Sequence, residues 1–166
     1  MRSERQDGER VPTNSGVGST SDESRVAAHQ SPAFTLPIRI YWEDTDAGGI
    51  VYYANYLKFM ERARTEWLRA LGVEQEPLRL EQGLMFVVVH ADVQFKKPAR
   101  YGDMLQVSCA LKERSRVSMT FEQIVRRAGS NDVLVSGEVK IACLDAIKLK
   151  PRGLPESVAR TSLASP

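Results

Sequence analysis

The feature that most constrains the fold is a change of hydrophobic period part-way along the chain. Tyr56, Met60, Ala63, Trp67 and Leu71 recur every three or four residues, which places them on one stripe of a helix. Lys58, Glu61, Arg62, Glu66 and Arg69 fall on the other face, and Gly72 stands just past the last periodic position. The pattern predicts a helix of about five turns with one face made for burial. Beyond it the period drops to two. Val87, Val89, Ala91, Val93 and Phe95 alternate with His90, Asp92, Gln94 and Lys96. Leu105, Val107, Cys109 and Leu111 repeat the alternation, as do Val117, Met119, Phe121 and Val125, and then Val133, Val135, Val139, Ile141 and Cys143. A shorter strand over residues 36–42 precedes the helix. The connections "KERSR" and "RAGSND" are short and polar, so the last three strands form an antiparallel meander. One amphipathic helix and a sheet with one apolar face bury each other's apolar surfaces. The expected class is α+β, a five-stranded antiparallel sheet wrapped around a long central helix. Phe86, Val88, Leu134, Ala142 and Leu144 fall on the opposite sheet face and are expected to form a subunit interface, making the protein a homo-oligomer.

Length and composition set the limits of the folded unit. Residues 1–33 are dominated by Ser, Gly, Thr, Asn and charged side chains, too few of them apolar to offset the entropy of ordering. They are read as a disordered tail, followed by one domain over 34–156 and a C-terminal tail over 157–166. No apolar stretch follows the first arginines, and Glu4, Asp7, Glu9, Asp22 and Glu23 argue against an acid-poor transit peptide. No run approaches the roughly 20 apolar residues of a membrane span, so a cytoplasmic protein is expected. With 23 basic and 21 acidic residues the net charge is +2, which gives no global footprint for nucleic acid. Cys109 and Cys143 sit singly inside apolar runs and read as buried inert thiols. His29 and His90 are the only histidines, so no zinc site is expected, and no cofactor is called for.

Chemistry gathers just before the helix, in "YWEDTDAGGIVYYANY". Attack on a carbonyl carbon needs a base or nucleophile together with a donor for the developing oxyanion. Asp46 lies in a loop, followed by glycines that allow close backbone approach, and then by a helix start whose first N–H groups are unpaired. Asp44 reads as a turn-holding carboxylate, and Glu61 and Glu66 as solvated or ion-paired side chains of the helix. Three basic clusters could meet phosphates: Lys96, Lys97 and Arg100; Lys112, Arg114 and Arg116; and Lys148, Lys150 and Arg152.

The spacing of Asp46, Gly49, Val51 and Tyr56, together with "FKKPARYGDML" and "IKLKPRGLP", resembles the hotdog-fold acyl-CoA thioesterases of the 4-hydroxybenzoyl-CoA thioesterase superfamily. The likeness spans about residues 36–156 and is greatest to the members associated with the Tol–Pal envelope system. It implies hydrolysis of an acyl-CoA to free acid and CoA by a dimer or tetramer whose sites lie between subunits. It also implies catalytic roles for Asp46, as nucleophile or general base, and for the Tyr53 amide, as oxyanion donor; some related thioesterases use a helix glutamate instead, which makes Glu61 the reserve carboxylate. Gly49, Val51, Tyr56, Lys97, Arg116 and Arg152 are the expected substrate-binding residues. Tol–Pal-associated members often carry His where this chain has Tyr53; a backbone donor survives that exchange, whereas help from an imidazole does not. The rival reading is a non-catalytic module that binds acyl thioesters or acyl carrier protein at the cell envelope. A hydratase would pair an acid with a His, and the domain's only His, His90, lies outside the signature.

Overall fold

The computed structural model describes residues 34–163; the expected N-terminal tail, 1–33, lies outside the described residues. In chain order the elements are β1 (Phe34–Arg39), a 3-10 turn (Trp42–Asp44), α1 (Tyr53–Ala70), α2 (Gln75–Gln82), β2 (Leu84–Phe95), β3 (Met104–Arg114), β4 (Ser118–Arg127), β5 (Val133–Asp145) and the short α3 (Glu156–Ala159). The strands form one antiparallel sheet in the order β1-β3-β4-β5-β2. The meander is present as expected, and this is the hotdog fold. α1 lies against one face and buries Tyr56, Phe59, Met60, Ala63, Trp67 and Leu68 against inward residues of the strands in one core. The Trp67 ring meets Phe121 edge-on at 5.0 Å, across the helix–sheet interface. Each such buried side chain contributes on the order of 1.5–3 kcal/mol. Among the described residues no helix is long and apolar enough to cross a membrane.

α1 stops where the sequence says it should. The Val73 N–H donates to Leu68 O at 2.9 Å and the Gly72 N–H to Arg69 O at 2.8 Å, the paired bonds of a Schellman cap. Val73 is buried, as the hydrophobic contact of that cap requires. The chain then forms α2, which the sequence reading missed. Its eight residues are mostly polar, and Leu78 is its buried anchor. At the other end the packed chain runs past residue 156: Val158, in α3, is completely buried.

Two bulges overturn the expected outer apolar patch. In β2 the pairing skips Val89, so Phe86 faces Cys143 and Val88 faces Ile141, both core residues. Strict alternation had placed Val87 and Val89 inward; the extra residue inverts the phase of the strand's first half. In β5 the pairing with β4 skips Leu134, whose side chain turns fully inward. Of the five expected interface residues only Ala142 and Leu144 remain on the outer face, opposite Val87 and Met85. Leu144 also forms a bridge with Pro151. The other edge of the pattern holds: His90 pairs with the exposed Lys140 on the outer face.

Candidate active site

The acidic loop is a closed structure built from its own backbone. Thr45 and Val51 form an antiparallel bridge, and the Asp46 N–H donates to Ile50 O at 3.0 Å. At the tip the Gly49 N–H returns to Asp46 O at 2.9 Å, with Gly49 at φ +71°, a conformation glycine adopts without strain. The Gly48 N–H donates to Asp46 Oδ1 at 2.8 Å and orients the carboxylate. A side chain at position 48 would place its Cβ 3.1 Å from that oxygen, so the glycine keeps the carboxylate uncrowded. Oδ2 has no hydrogen-bond partner among the described residues, and Asp46 is exposed.

The base of the loop is held by Asp44. Its carboxylate accepts the Tyr41 N–H at 2.9 Å, the turn-holding role expected of it. Its carbonyl accepts both the Tyr52 N–H at 3.0 Å and the side chain of buried Asn55 at 2.9 Å. These bonds fold the chain back so that α1 begins directly beside the loop. Tyr53 is its first residue; the Asn55 N–H donates to Tyr52 O at 2.9 Å, while the N–H groups of Tyr53 and Ala54 have no acceptor among the described residues. The Tyr52 phenol is held above its ordinary pKa first by its hydrogen bond with Tyr53, then by the charge of Tyr53 and by burial, and last by the charge of Asp46. The carboxylate and the two phenols therefore share one electrostatic neighbourhood.

Next to the helix start is a groove of about 250 Å³ walled by Val51, Tyr53, Tyr56, Phe95, Lys97 and Pro98. Four expected site residues, Val51, Tyr53, Tyr56 and Lys97, thus meet in one place. Their parts differ from a simple list of ligand contacts. Val51 and Tyr56 are buried, and the Tyr56 hydroxyl accepts the Ala99 N–H at 2.8 Å, pinning the opposite wall. Burial is the main reason the Tyr56 phenol titrates above its usual range, partly offset by that amide. Lys97 Nζ is bound to Asp132 at 2.5 Å and remains half-exposed. Arg127, which sequence reasoning passed over, ties the same wall together. Its guanidinium reaches Asp103 and Asp132, each at 3.2 Å, and donates to Pro98 O. Nothing in the local pattern marks it, because two of its partners, Pro98 and Asp103, come from the distant β2–β3 connection.

Arg116 and Arg152 lie elsewhere. Arg152 pairs with Asp145 at 3.0 Å, its N–H donates to Cys143 O, and Arg116 O accepts the Leu154 N–H. That cluster sits at the C-terminal end of β5, whereas Lys96 and Lys97 donate to Leu134 O near its start. The ten residue steps from Leu134 to Leu144 separate the two ends by roughly 33 Å of strand. One subunit does not bring Lys97 together with Arg116 and Arg152.

A second cavity, about 340 Å³, lies between α1, β2 and β5, with Leu57, Glu61 and Arg64 on its helix side. The Glu61 carboxylate accepts the Thr65 hydroxyl at 2.7 Å, which in turn accepts from Gln75 at 2.8 Å. The two thiols are buried as expected, and desolvation pushes Cys109 up to about 12.

The five-stranded antiparallel sheet and the helix packed on its face define the hotdog fold. The chain belongs to the Thioesterase-like superfamily, whose sequence profile matches residues 40–161. It is 44% identical over 126 residues to the acyl-CoA thioesterase YbgC of Haemophilus influenzae, covering 75% of this chain and 90% of that one. To the acyl-CoA thioester hydrolase YbgC of Escherichia coli O6:H1 it is 43% identical over 125 residues, covering 75% and 92%. The crystal structure of a 1,4-dihydroxy-2-naphthoyl-CoA thioesterase from Synechocystis superposes with a TM-score of 0.72 at 24% identity, covering 76% of this chain and 93% of that one, a likeness of fold.

Proposed function

We propose that this protein hydrolyses acyl-CoA thioesters, with Asp46 as the reacting carboxylate and the Tyr53 amide as the oxyanion donor. The observation that carries the reading is the closed loop: it holds Asp46 by one oxygen, leaves the other without a hydrogen-bond partner among the described residues, and is tied at its base to Tyr52, immediately before α1. With the thioester oxygen on the Tyr53 N–H, the helix dipole and that amide stabilise the charge that develops on addition. In the general-base route Asp46 takes a proton from water as its oxygen bonds to the carbonyl carbon. The tetrahedral intermediate then collapses, the C–S bond breaks, and the thiolate of CoA leaves with a proton. In the nucleophilic route Asp46 Oδ2 attacks first and the mixed anhydride is hydrolysed. Gly49 shapes the loop, while Val51 and Tyr56 wall the groove and Lys97 supplies positive charge for the phosphates of CoA.

Arg116 and Arg152 join such a site only if a second copy of the chain contributes them, and we assign the active form as a homo-oligomer. Val88, Val89 and Phe95 stand about half exposed along the edge strand β2, which suits a subunit contact. The test is thiol release from short-chain, long-chain and aromatic acyl-CoAs by the wild type, Asp46→Asn and Glu61→Gln. Loss of about 100-fold or more in kcat is expected for Asp46→Asn. Full activity in that variant with loss in Glu61→Gln moves the role to the helix carboxylate. Absence of release from every acyl-CoA refutes the reading.

A further inference from the structure

Among the described residues Arg64 is the only charged side chain in the buried set, 7% exposed. A buried guanidinium ordinarily has a carboxylate beside it, because an uncompensated charge in the interior is costly. Arg64 has none within ion-pair distance among the described residues. Its Nη1 donates to Gln123 Oε1 at 2.8 Å, and completely buried Gln123 donates onward to Met60 O at 3.0 Å. Both partners are neutral. Desolvation lowers the Arg64 pKa, with nearby Cys109 and Glu61 acting in the other direction. No fully enclosed side-chain nitrogen lacks a partner among the described residues, and Arg64 makes this one hydrogen bond. Its remaining nitrogens are therefore not fully enclosed, and Arg64 lines the cavity between α1, β2 and β5.

That cavity has an apolar body, formed by Leu57, Val88, Ala91 and Val139, with Lys58 and Glu61 as its other charged residues. Two cations against one carboxylate leave it net positive. Tyr53, Leu57, Glu61 and Arg64 follow one another at helical spacing on a single stripe of α1. The Arg64 side chain leans back along the helix, and its partner Gln123 reaches the carbonyl of Met60. Met60 is seven residues beyond Tyr53, about 10 Å along the axis, the span of roughly an eight-carbon chain.

We propose that Arg64 sets substrate specificity by binding a carboxylate at the far end of the acyl group, so that the preferred substrate is a half-thioester of a dicarboxylic acid about eight carbons long. This rests on the thioesterase reading above. With the thioester carbonyl on the Tyr53 amide, the methylenes run past Leu57 and Val88 and the terminal carboxylate meets the open side of the guanidinium. A plain alkyl chain of equal length fills the same space but leaves the guanidinium dry and without an anion, which a site built for a polar group penalises.

The experiment compares suberoyl-CoA with octanoyl-CoA by thiol release, using the wild type, Arg64→Met and Arg64→Lys, with folding checked by thermal melting. The wild type is expected to favour suberoyl-CoA by about ten-fold or more in kcat/KM. Arg64→Met is expected to erase that preference while octanoyl-CoA is turned over as well as before, and Arg64→Lys to keep part of it. If Arg64→Met does not fold, inhibition of the wild type by free suberate against free octanoate gives the same comparison, with suberate expected to bind more tightly. Turnover of both substrates at equal kcat/KM, or a preference that survives in Arg64→Met, overturns the assignment of Arg64 and leaves the thioesterase reading intact. Thiol release from neither substrate nor from any other acyl-CoA overturns both.

Discussion

Replacing Tyr56 by Phe separates a structural hydroxyl from a substrate-binding one. The ring is 3% exposed and packs against Phe59 and Phe95, and none of that contact is lost in the substitution. What disappears is the acceptor for the Ala99 N–H, 2.8 Å away, on a residue with no exposed surface. An enclosed amide left without an acceptor costs about 1–3 kcal/mol. At about 2 kcal/mol the folded-to-unfolded ratio falls roughly 30-fold, and the urea midpoint falls by about 1 M at an ordinary slope. The slope itself should stay the same, since the surface exposed on unfolding does not change. Because Ala99 also accepts the Val51 N–H, the groove wall loosens, and kcat is expected to fall more than KM rises. A variant as stable as the wild type but with KM raised about ten-fold would show that the hydroxyl faces substrate and that the Ala99 contact is incidental.

Gly137 offers a second test: a Cβ there would lie 2.7 Å from Asp92 O and 3.1 Å from a Val93 methyl, so Gly137→Ala should cost about 1–3 kcal/mol, read as a lower melting temperature. Asp145 is held below the usual carboxylate range by the N–H groups of Lys148 and Ile147 and, more weakly, by Arg152. A carboxylate depressed in the folded state stabilises above its unfolded pKa and loses that effect as pH falls through the folded value, so melting temperature should drop in acid, less steeply in Asp145→Asn. Cys109, pushed up to about 12, behaves oppositely: its contribution is intact below the ordinary thiol pKa and is lost as pH rises toward 12. A thiol reagent at about pH 8 should therefore leave Cys109 unmodified in the native protein and label it in urea.

How much of this was legible beforehand follows from which interactions are local. The α1 stripe and its stop at Gly72 depend on neighbours three to five residues away, and the helix and its cap are where the periodicity put them. Strand alternation likewise identified the meander. It failed at Val89 and Leu134, because a bulge is a relation between two strands and leaves no mark in the period of one. The loop from Asp44 to Tyr53 was readable because its bonds are short-range: Asp46 with Gly48, Gly49 and Ile50, and Asp44 with Tyr41. Arg127 and Arg64 were not readable for the converse reason. Arg64 sits among helix charges that look solvated, and only the sheet, through Gln123, 59 residues away, determines that it is buried. Lys97 and Arg152 each fall in a matched stretch of sequence, while a single subunit holds them at opposite ends of β5, with Arg116 on the Arg152 side.

The bulge at Val89 has a consequence for solubility. β2 is an edge strand, and a long straight edge with exposed Val88, Val89 and Phe95 is a template onto which strands of other molecules can be added without limit. The extra residue breaks the even spacing of edge donors and acceptors and bends the strand, so a continuous twelve-residue ladder cannot form on it. Pairing is confined to a short stretch on either side, and the stretch after the bulge carries Asp92, with Lys96 just past its end, whose charges must be matched. An edge interrupted in this way accepts one well-registered partner and resists open-ended polymerisation.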